Sequence, residues 1–289
     1  MNILPISSSI ENLPLISIII PCYNSGKTIS RAVLSAKNQT YSNIEVIVVD
    51  DGSTDTSTIS ILDSLSDITL VRQENLGLPS ARNTGIMASH GLYILPLDSD
   101  DWLHSDSVLL MLQSLQSCPN ICFSVPTIIL HGQLHGSLLK HYNFFEQLFL
   151  NQIPYCLLIP RCIFDHIGYY DANMTNGYED WEFNIRMGLN GYLGIDTHLP
   201  LLNYNVSGSG MLISKSNRMH GQLWSFIQRK YPNTYSFRSL FSLWMQWRDL
   251  PSTYPLPIYF IWFYLHRILP TSVFSFLFSH LRRFSQSRR

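Results

Sequence analysis

Four short apolar runs, each closing on a polar turn and three of them leading into a helical pattern, constrain this chain most. Leu15–Pro21 is almost wholly aliphatic and stops at proline, as a strand buried on both faces does. After the turn Asn24-Ser25-Gly26, Thr28–Asn38 places Ile29, Ala32, Val33 and Ala36 at helical spacing. Ile44–Val49 is a second buried strand, closed by Asp50-Asp51-Gly52-Ser53, and Thr54 and Asp55 can cap a helix running to about Leu65. Ile68–Val71 is a third strand, Gly77-Leu78-Pro79 opens a helix to about Ser89, and Gly91–Leu97 is a fourth strand. Strands alternating with helices imply right-handed crossovers, hence an α/β fold with a mainly parallel sheet flanked by helices. Ligands on such sheets bind beyond the carboxyl ends of the strands. Pro21-Cys22-Tyr23-Asn24, Asp50-Asp51 and Asp98-Ser99-Asp100-Asp101 all fall at such ends, so one crevice gathers them.

The last of these turns is the most chemically loaded. Three carboxylates, Asp98, Asp100 and Asp101, sit where a strand stops, and Ser105 and Asp106 then read as a cap for the helical run Ser107–Ser117. Oxygen-only ligands on a turn suit a hard cation, Mg²⁺ or Mn²⁺, which keeps waters and takes phosphate oxygens from a substrate. A solvated, capped acidic turn is the competing explanation. His131, His135 and His141 match no zinc spacing and read as ordinary surface histidines. The five cysteines, Cys22, Cys118, Cys122, Cys156 and Cys162, are an odd set with no metal pattern, and read as small buried thiols of a reducing compartment. Met1–Pro14 has neither a basic n-region nor an apolar h-region, so a cytoplasmic location is expected.

Charge divides the chain unevenly. Residues 1–228 hold 10 Lys/Arg against 19 Asp/Glu, a balance of −9, whereas residues 229–289 hold 9 Lys/Arg and the single acid Asp249, a balance of +8. No nucleic-acid partner is expected. In the basic tail, Trp224–Trp247 is aromatic, and Leu256–Leu265 is apolar until His266, Arg267 and Pro270 interrupt it. A span of ~20 apolar residues is missing, so no transmembrane helix is expected. From Ser272 to Phe284, Val273, Phe274, Leu277, Phe278, Leu281 and Phe284 share one broad helical face, with Ser275, Ser279 and Arg282 opposite. An apolar face with a basic end suits a helix lying in the plane of an anionic membrane; packing on the rest of the chain or on a partner subunit is the alternative.

Several motifs in register resemble the family-2 glycosyltransferases. They are Ser17-Ile18-Ile19-Ile20-Pro21-Cys22-Tyr23-Asn24, Gln39-Thr40-Tyr41, Glu45–Asp55 with its Asp50-Asp51-Gly52-Ser53, Gly77-Leu78-Pro79-Ser80-Ala81-Arg82-Asn83, and the acidic turn at 98–101. The resemblance covers roughly residues 15–210. It implies a GT-A fold, a nucleotide-diphosphate sugar donor (a UDP-sugar foremost), a divalent cation, Mn²⁺ or Mg²⁺, and inversion at the anomeric carbon. By the same resemblance, Pro21 and Tyr23 approach the nucleotide base, Asp51 hydrogen-bonds it, and Asp50 supports Asp51 or caps the next helix. Arg82 lies near the base and phosphates with Asn83 helping it. Asp98 takes the ribose or a metal-bound water, and Asp100, with Asp101 beside it, ligates the metal. The implied organisation is a lead at 1–14, a GT-A domain at 15–214 (nucleotide-sugar half 15–102, acceptor half 103–214) and a helical, basic extension at 215–289.

The acceptor half is less regular. Cys118–Val125 and Thr127–His131 form two strands or one strand with an irregular edge; Ile153–Pro160 is another strand; Arg161–Gly168 resembles the family's short helix. An inverting transfer needs a base on the acceptor hydroxyl. In Gly177-Tyr178-Glu179-Asp180-Trp181 the family resemblance assigns that role to Asp180, with Glu179 orienting it or the acceptor. An acidic first helical turn matching the helix dipole is the plain structural explanation. Trp181 and Tyr178 are candidate acceptor contacts, Trp181 by stacking on a sugar ring. One departure stands out: where the family commonly shows Tyr-Arg-x-His, this chain has Tyr204, then Asn205 and Ser207 at the two basic positions, before the Gly208-Ser209-Gly210-Met211 turn. Lys215 or Arg218 could replace the lost charge, the loop could act through backbone donors, or activity is weak. The expected function is transfer of one sugar to a glycan or lipid-linked glycan acceptor in surface polysaccharide synthesis, peripheral on the inner face of the membrane. The alternative is a catalytically silent nucleotide-sugar binding or assembly module.

Overall fold

The computed structural model describes residues 13–118, 120, 122–139, 141–207 and 219–286, the last eight by backbone alone. The expected alternation is present: β1 (Ile16–Cys22), α1 (Ile29–Lys37), β2 (Ile44–Asp51), α2 (Thr56–Ser64), β3 (Thr69–Gln73), α3 (Leu78–Ala88) and β4 (Tyr93–Pro96). β1, β2, β3 and β4 pair in parallel. Alternate side chains of β1 feed two cores. Ile16, Ile18 and Ile20 join Ile29, Ala32, Val33 and Ala36 of α1, while Ile19 meets Ala81 and Ile86 of α3 with Ile47 and Val49. α3 comes so close that a Cβ on Gly85 would lie 2.3 Å from the Ile19 side chain. That contact seats α3 on β1, with Arg82 about one turn nearer the start of the helix. Asp55 caps α2 as expected, accepting from the Thr58 N–H at 2.7 Å.

β5 (Trp102–Leu103) and α4 (Ser107–Gln116) follow. The expected Asp106 side-chain cap is not formed: its carboxylate accepts from the Thr40 hydroxyl at 2.8 Å, tying α4 to the end of α1. β6 (Cys122–Gly132) is one strand, and its register against its neighbour slips on either side of Thr127, next to Pro126, which has no N–H to give the ladder. β7 (Gly136–Leu138), α5 (Phe144–Gln147), β8 (Ile159–Pro160), α6 (Arg161–Ile167), α7 (Glu179–Leu189) and β9 (Leu193–Val206) follow. The expected strand over Ile153–Pro160 shrinks to β8, which closes the first sheet antiparallel to β4; Pro154 removes a donor early in the run. The second sheet has the order β5-β9-β6-β7. Cys118 and Cys122 are disulfide-bonded across the turn from α4 to β6, which corrects the expectation of thiols there; Cys22 and Cys156 are buried thiols and Cys162 is exposed.

The tail forms α8 (His220–Lys230), α9 (Phe237–Trp247), α10 (Leu256–Ile268) and α11 (Thr271–Gln286). Trp224, Tyr235, Tyr259, Trp262, Phe263, Phe274 and Phe278 lie in one hydrophobic cluster with Phe149 and with Trp181 of α7. Polar ties reinforce it: the Leu148 carbonyl accepts from Trp224 Nε1 at 3.0 Å and from the Tyr235 hydroxyl at 2.8 Å. Lys230 reaches Asp171 at 2.8 Å and Glu182 at 2.9 Å. The face expected on α11 is split. Phe274 and Phe278 are buried while Val273 and Leu277 are exposed, and Leu281 and Phe284 lie outside the described side chains. Ser275, expected on the polar side, is buried and accepts from the Gly221 N–H at 2.8 Å. Glycine is what permits this approach, because a Cβ at 221 would lie 2.7 Å from the Thr271 carbonyl. Among the described residues no helix is long and apolar enough to cross a membrane.

Candidate active site

The first-sheet strand ends are laced together by short polar side chains. Asn24, left-handed at φ 49°, accepts through Oδ1 from the N–H groups of Thr54 at 2.8 Å and Asp55 at 3.1 Å, clipping the β1 turn to the β2 turn. Pro21 is buried at the end of β1, and Tyr23 just beyond it is 47% exposed with its ring free to stack. Asp50 accepts from the Ser53 N–H at 2.9 Å, so it supports the turn, while the helix cap belongs to Asp55. Asp51 departs from expectation. Its carboxylate already accepts from Gln73 Nε2 at 2.7 Å and from the N–H groups of Leu76 and Gly77, each at 2.9 Å. Three of about four lone-pair directions are used within the chain. Its first task is to hold the loop that opens α3, and one direction is left for a base.

Arg82 is the centre of the site, and only 1% of it is exposed. Nη2 donates to Asp98 Oδ1 at 2.7 Å and Nη1 to Glu179 Oε1 at 2.6 Å. The guanidinium lies 5.0 Å from the Tyr155 ring centroid and 5.6 Å from that of Tyr170. One buried cation thus joins the carboxylate turn after β4 to the start of α7. Asn83 does not extend this network towards a donor. Its amide exchanges two hydrogen bonds with the Tyr170 backbone, at 2.8 and 3.0 Å, which corrects its assignment as a donor contact. Asn83 positions Tyr170, and Tyr170 walls in Arg82.

The acidic turn divides into three roles. Asp98 carries the arginine. Asp101 is buried and accepts from the Tyr155 hydroxyl at 2.6 Å and from the Asn205 N–H at 2.7 Å. Each of its carboxylate oxygens thus holds one hydrogen bond that braces the turn, towards Tyr155 and towards β9, so its first task is structural, and about half of its lone-pair directions are left for an ion. Burial, joined by the charges of Asp100 and Asp98, holds its carboxyl well above the usual aspartate range. Asp100 is half-buried, and no other described residue donates to its carboxylate. Burial and the charge of Asp98 push it up to about 6. A carboxylate short of counter-charge beside a second one is an environment that a cation relieves. Among the described residues there is no cluster of three or more His, Cys, Asp or Glu able to hold a metal by itself.

At the other end of Arg82, Gly177 at φ 99° and Tyr178 at φ 66° turn the chain sharply into α7. A bulky residue in the left-handed region is strained, and such strain clusters at functional turns. The turn delivers Glu179 to Arg82 and sets Asp180 beside it. Asn151 Nδ2 donates to Asp180 Oδ2 at 2.9 Å, and the Trp181 N–H donates to Oδ1 at 2.7 Å. Burial raises both carboxyls above their ordinary values, and Arg82 pulls the other way. Trp181 is not an acceptor platform: its ring is wholly buried and Nε1 donates to the Gln147 carbonyl at 2.5 Å. Tyr178 is also buried, its hydroxyl 3.0 Å from His220 Nδ1, so neither ring faces an acceptor.

Three participants escaped the sequence reading. Tyr155, inside a run read only as a strand, accepts from the Asp98 N–H at 2.9 Å and so bridges Asp98 and Asp101. Asn151, which holds Asp180, sits in an unpatterned loop. Arg31 on α1 donates to the Asp100 carbonyl at 2.8 Å and lies 3.6 Å from the Trp102 ring centroid, placing a cation at the acidic turn. Only the last left a trace, as a basic residue on the polar side of a helix that starts at the crevice. Asn205 acts here through its backbone; the segment 208–218, with Lys215 and Arg218, lies outside the described residues. The profile described as "Glycosyl transferase family 2" matches residues 17–172, more than half of the chain.

The chain belongs to glycosyl transferase family 2.

Relatives of this family-2 glycosyltransferase agree with that placement. It is 43% identical over 114 residues to chondroitin synthase of Escherichia coli, covering 38% of this chain and 16% of the synthase. It is 41% identical over 117 residues to hyaluronan synthase of Pasteurella multocida, covering 39% of this chain and 12% of that one. The chain thus spans under a fifth of the length of either synthase. In fold it resembles S. aureus TarS 1–349 in complex with UDP-GlcNAc, at 18% identity and a TM-score of 0.60 over 74% of this chain and 65% of that one. The architecture is the expected GT-A fold with added C-terminal helices.

Proposed function

We propose that this glycosyltransferase moves a sugar, with inversion, from a nucleotide-diphosphate donor to a glycan or lipid-linked glycan acceptor in the synthesis of a surface polysaccharide. The observation that carries this reading is the Asp98–Arg82–Glu179 bridge with Asp180 beside it. It brings the end of the donor strands and the start of the acceptor helix to one buried point. The two synthases named above make polysaccharides, and the TarS complex contains UDP-GlcNAc, which supports a UDP-sugar donor.

In this reading Tyr23 stacks on the base, the remaining lone pair of Asp51 meets its edge, and Asp98 orients the ribose. The residues present fit a divalent cation, Mn²⁺ or Mg²⁺, held by Asp100 with help from Asp98; such an ion needs only one or two carboxylates when a diphosphate completes its shell. When bound it neutralises the negative charge that grows on the leaving diphosphate. Arg31 adds positive charge at the same turn, where the family's usual arginine and histidine are Asn205 and Ser207. Asp180 takes the proton from the acceptor hydroxyl. The hydroxyl oxygen bonds to the anomeric carbon from the opposite side, and the bond to the diphosphate breaks with its electron pair on the nucleotide. Glu179, fixed by Arg82, keeps Asp180 oriented.

Calorimetric titration with nucleoside diphosphates tests this site before any acceptor is known. Wild-type chain is expected to bind one of them at least tenfold more tightly with Mn²⁺ than with chelator. Asp100→Ala is expected to erase that difference while leaving the thermal transition of the free protein intact. Unchanged Mn²⁺ dependence in Asp100→Ala removes Asp100 from the metal.

A further inference from the structure

Helices α9 and α10 are apolar on two faces. Their inner faces bury Leu240, Tyr259, Trp262 and Phe263 in the common core. Their outer faces carry a second set at helical spacing: Phe237, Phe241 and Met245 on α9, and Ile261, Tyr264 and Ile268 on α10, from 43% exposed at Met245 to 75% at Ile268. The two helices touch beside these stripes, where the ring of the exposed Phe237 lies 5.4 Å from that of the half-buried Phe260 next to Ile261. A surface helix in water normally turns a polar face outward. A contiguous apolar band of this kind marks an interaction surface.

Its charges identify the partner. Arg238 and Arg248 are exposed on the same stretch, with Arg248 5.9 Å from the Trp244 ring, while Arg267, exposed in part, turns its guanidinium to the protein and donates to the Tyr235 carbonyl at 3.0 Å. Asp249 is the single acid in residues 229–289, and Arg248 already faces it at 3.8 Å. Aromatic and aliphatic side chains flanked by arginine are what an interfacial helix presents to headgroups and acyl chains. A second copy of the chain fits less well. A two-fold interface would set the same arginines against each other with no acid in the band to answer them.

We propose that the outer face of α9 and α10 docks on an anionic lipid surface, with both helices lying in the interface. The site differs from the α11 face expected from sequence, because Phe274 and Phe278 of α11 are spent on the protein core. The proposal stands independently of the donor reading.

Co-sedimentation of the full chain with vesicles tests it, comparing phosphatidylglycerol–phosphatidylcholine mixtures with pure phosphatidylcholine at low and high salt. The wild-type chain is expected to favour the anionic vesicles, with salt weakening the binding but leaving a salt-resistant part. Ile268→Asp, and separately Phe241→Ser with Ile261→Ser, should lower partitioning at least tenfold while the thermal transition is unchanged. Arg238→Gln with Arg248→Gln should cost about fivefold per arginine at low salt and little at high salt. If the apolar pair variant loses its fold, Ile268→Asp and the arginine pair decide the matter. Equal binding to neutral and anionic vesicles, no binding to either, or partitioning unaffected by these substitutions overturns the proposal. So does a wild-type dimer in solution that Ile268→Asp dissociates, since the band would then be an interface between copies.

Discussion

Asp180→Asn is expected to reduce turnover about 10²–10⁴-fold and to leave donor affinity within a few-fold, the signature of a general base removed from an otherwise intact site. Asparagine keeps the shape and can still accept from Asn151, but it cannot take a proton. The pH profile adds a second readout. Burial favours the neutral carboxyl, so Asp180 gives up its proton at a higher pH than an ordinary aspartate. Wild-type turnover should therefore fall as pH drops through that raised value, and the Asn variant should lose this acid limb. Steady-state transfer measured from pH 5 to 8 with both proteins checks it. Near-wild-type turnover in the variant would move the base to Glu179.

Arg82→Met is the substitution expected to cost most in stability, about 3–5 kcal/mol by chemical denaturation. Methionine fills much of the volume but leaves Glu179 buried without its cation and frees Asp98 from the strand ends. Sign follows from the proton balance. Unpaired and buried, Glu179 prefers its neutral form, so the folded variant binds a proton that the unfolded chain has released, and its stability falls as pH rises above the ordinary glutamate range. The loss relative to wild type should be larger at pH 8 than at pH 5. A loss under 1 kcal/mol at both would mean that the bridge adds little to the fold.

Much of the stretch from β1 to β4 was legible because local pattern and tertiary role coincide there. Ile16–Cys22 is buried on both faces, so its composition alone marks it as a central strand, and the turn after it could only open at the sheet end. Ile29, Ala32, Val33 and Ala36 fell on the buried face because a helix over a sheet has only one. The stretch from the acidic turn to β9 obeys long-range contacts instead. Nothing in the sequence shows that Asp101 braces the turn until Tyr155 and the Asn205 backbone, 54 and 104 residues away, are seen to donate to it. Trp181 beside a candidate base suggests a sugar platform, yet the helix turn aims it into the core. Arg82 was expected near the phosphates; nothing in its motif announces Glu179, 97 residues on. In the tail, one amphipathic face looked sufficient for a membrane helix, but Gly221 lets α11 close on α8, and the exposed apolar band falls on its neighbours.

The most direct test of the account is the configuration of the sugar first released when donor is turned over with water as acceptor. With a nucleotide-α-sugar and Mg²⁺, proton NMR of the first minutes should show the β anomer ahead of mutarotation, and Asp180→Asn should suppress its release. Release of the α anomer first, or release that Asp180→Asn leaves unchanged, would contradict an inverting site built on Asp180.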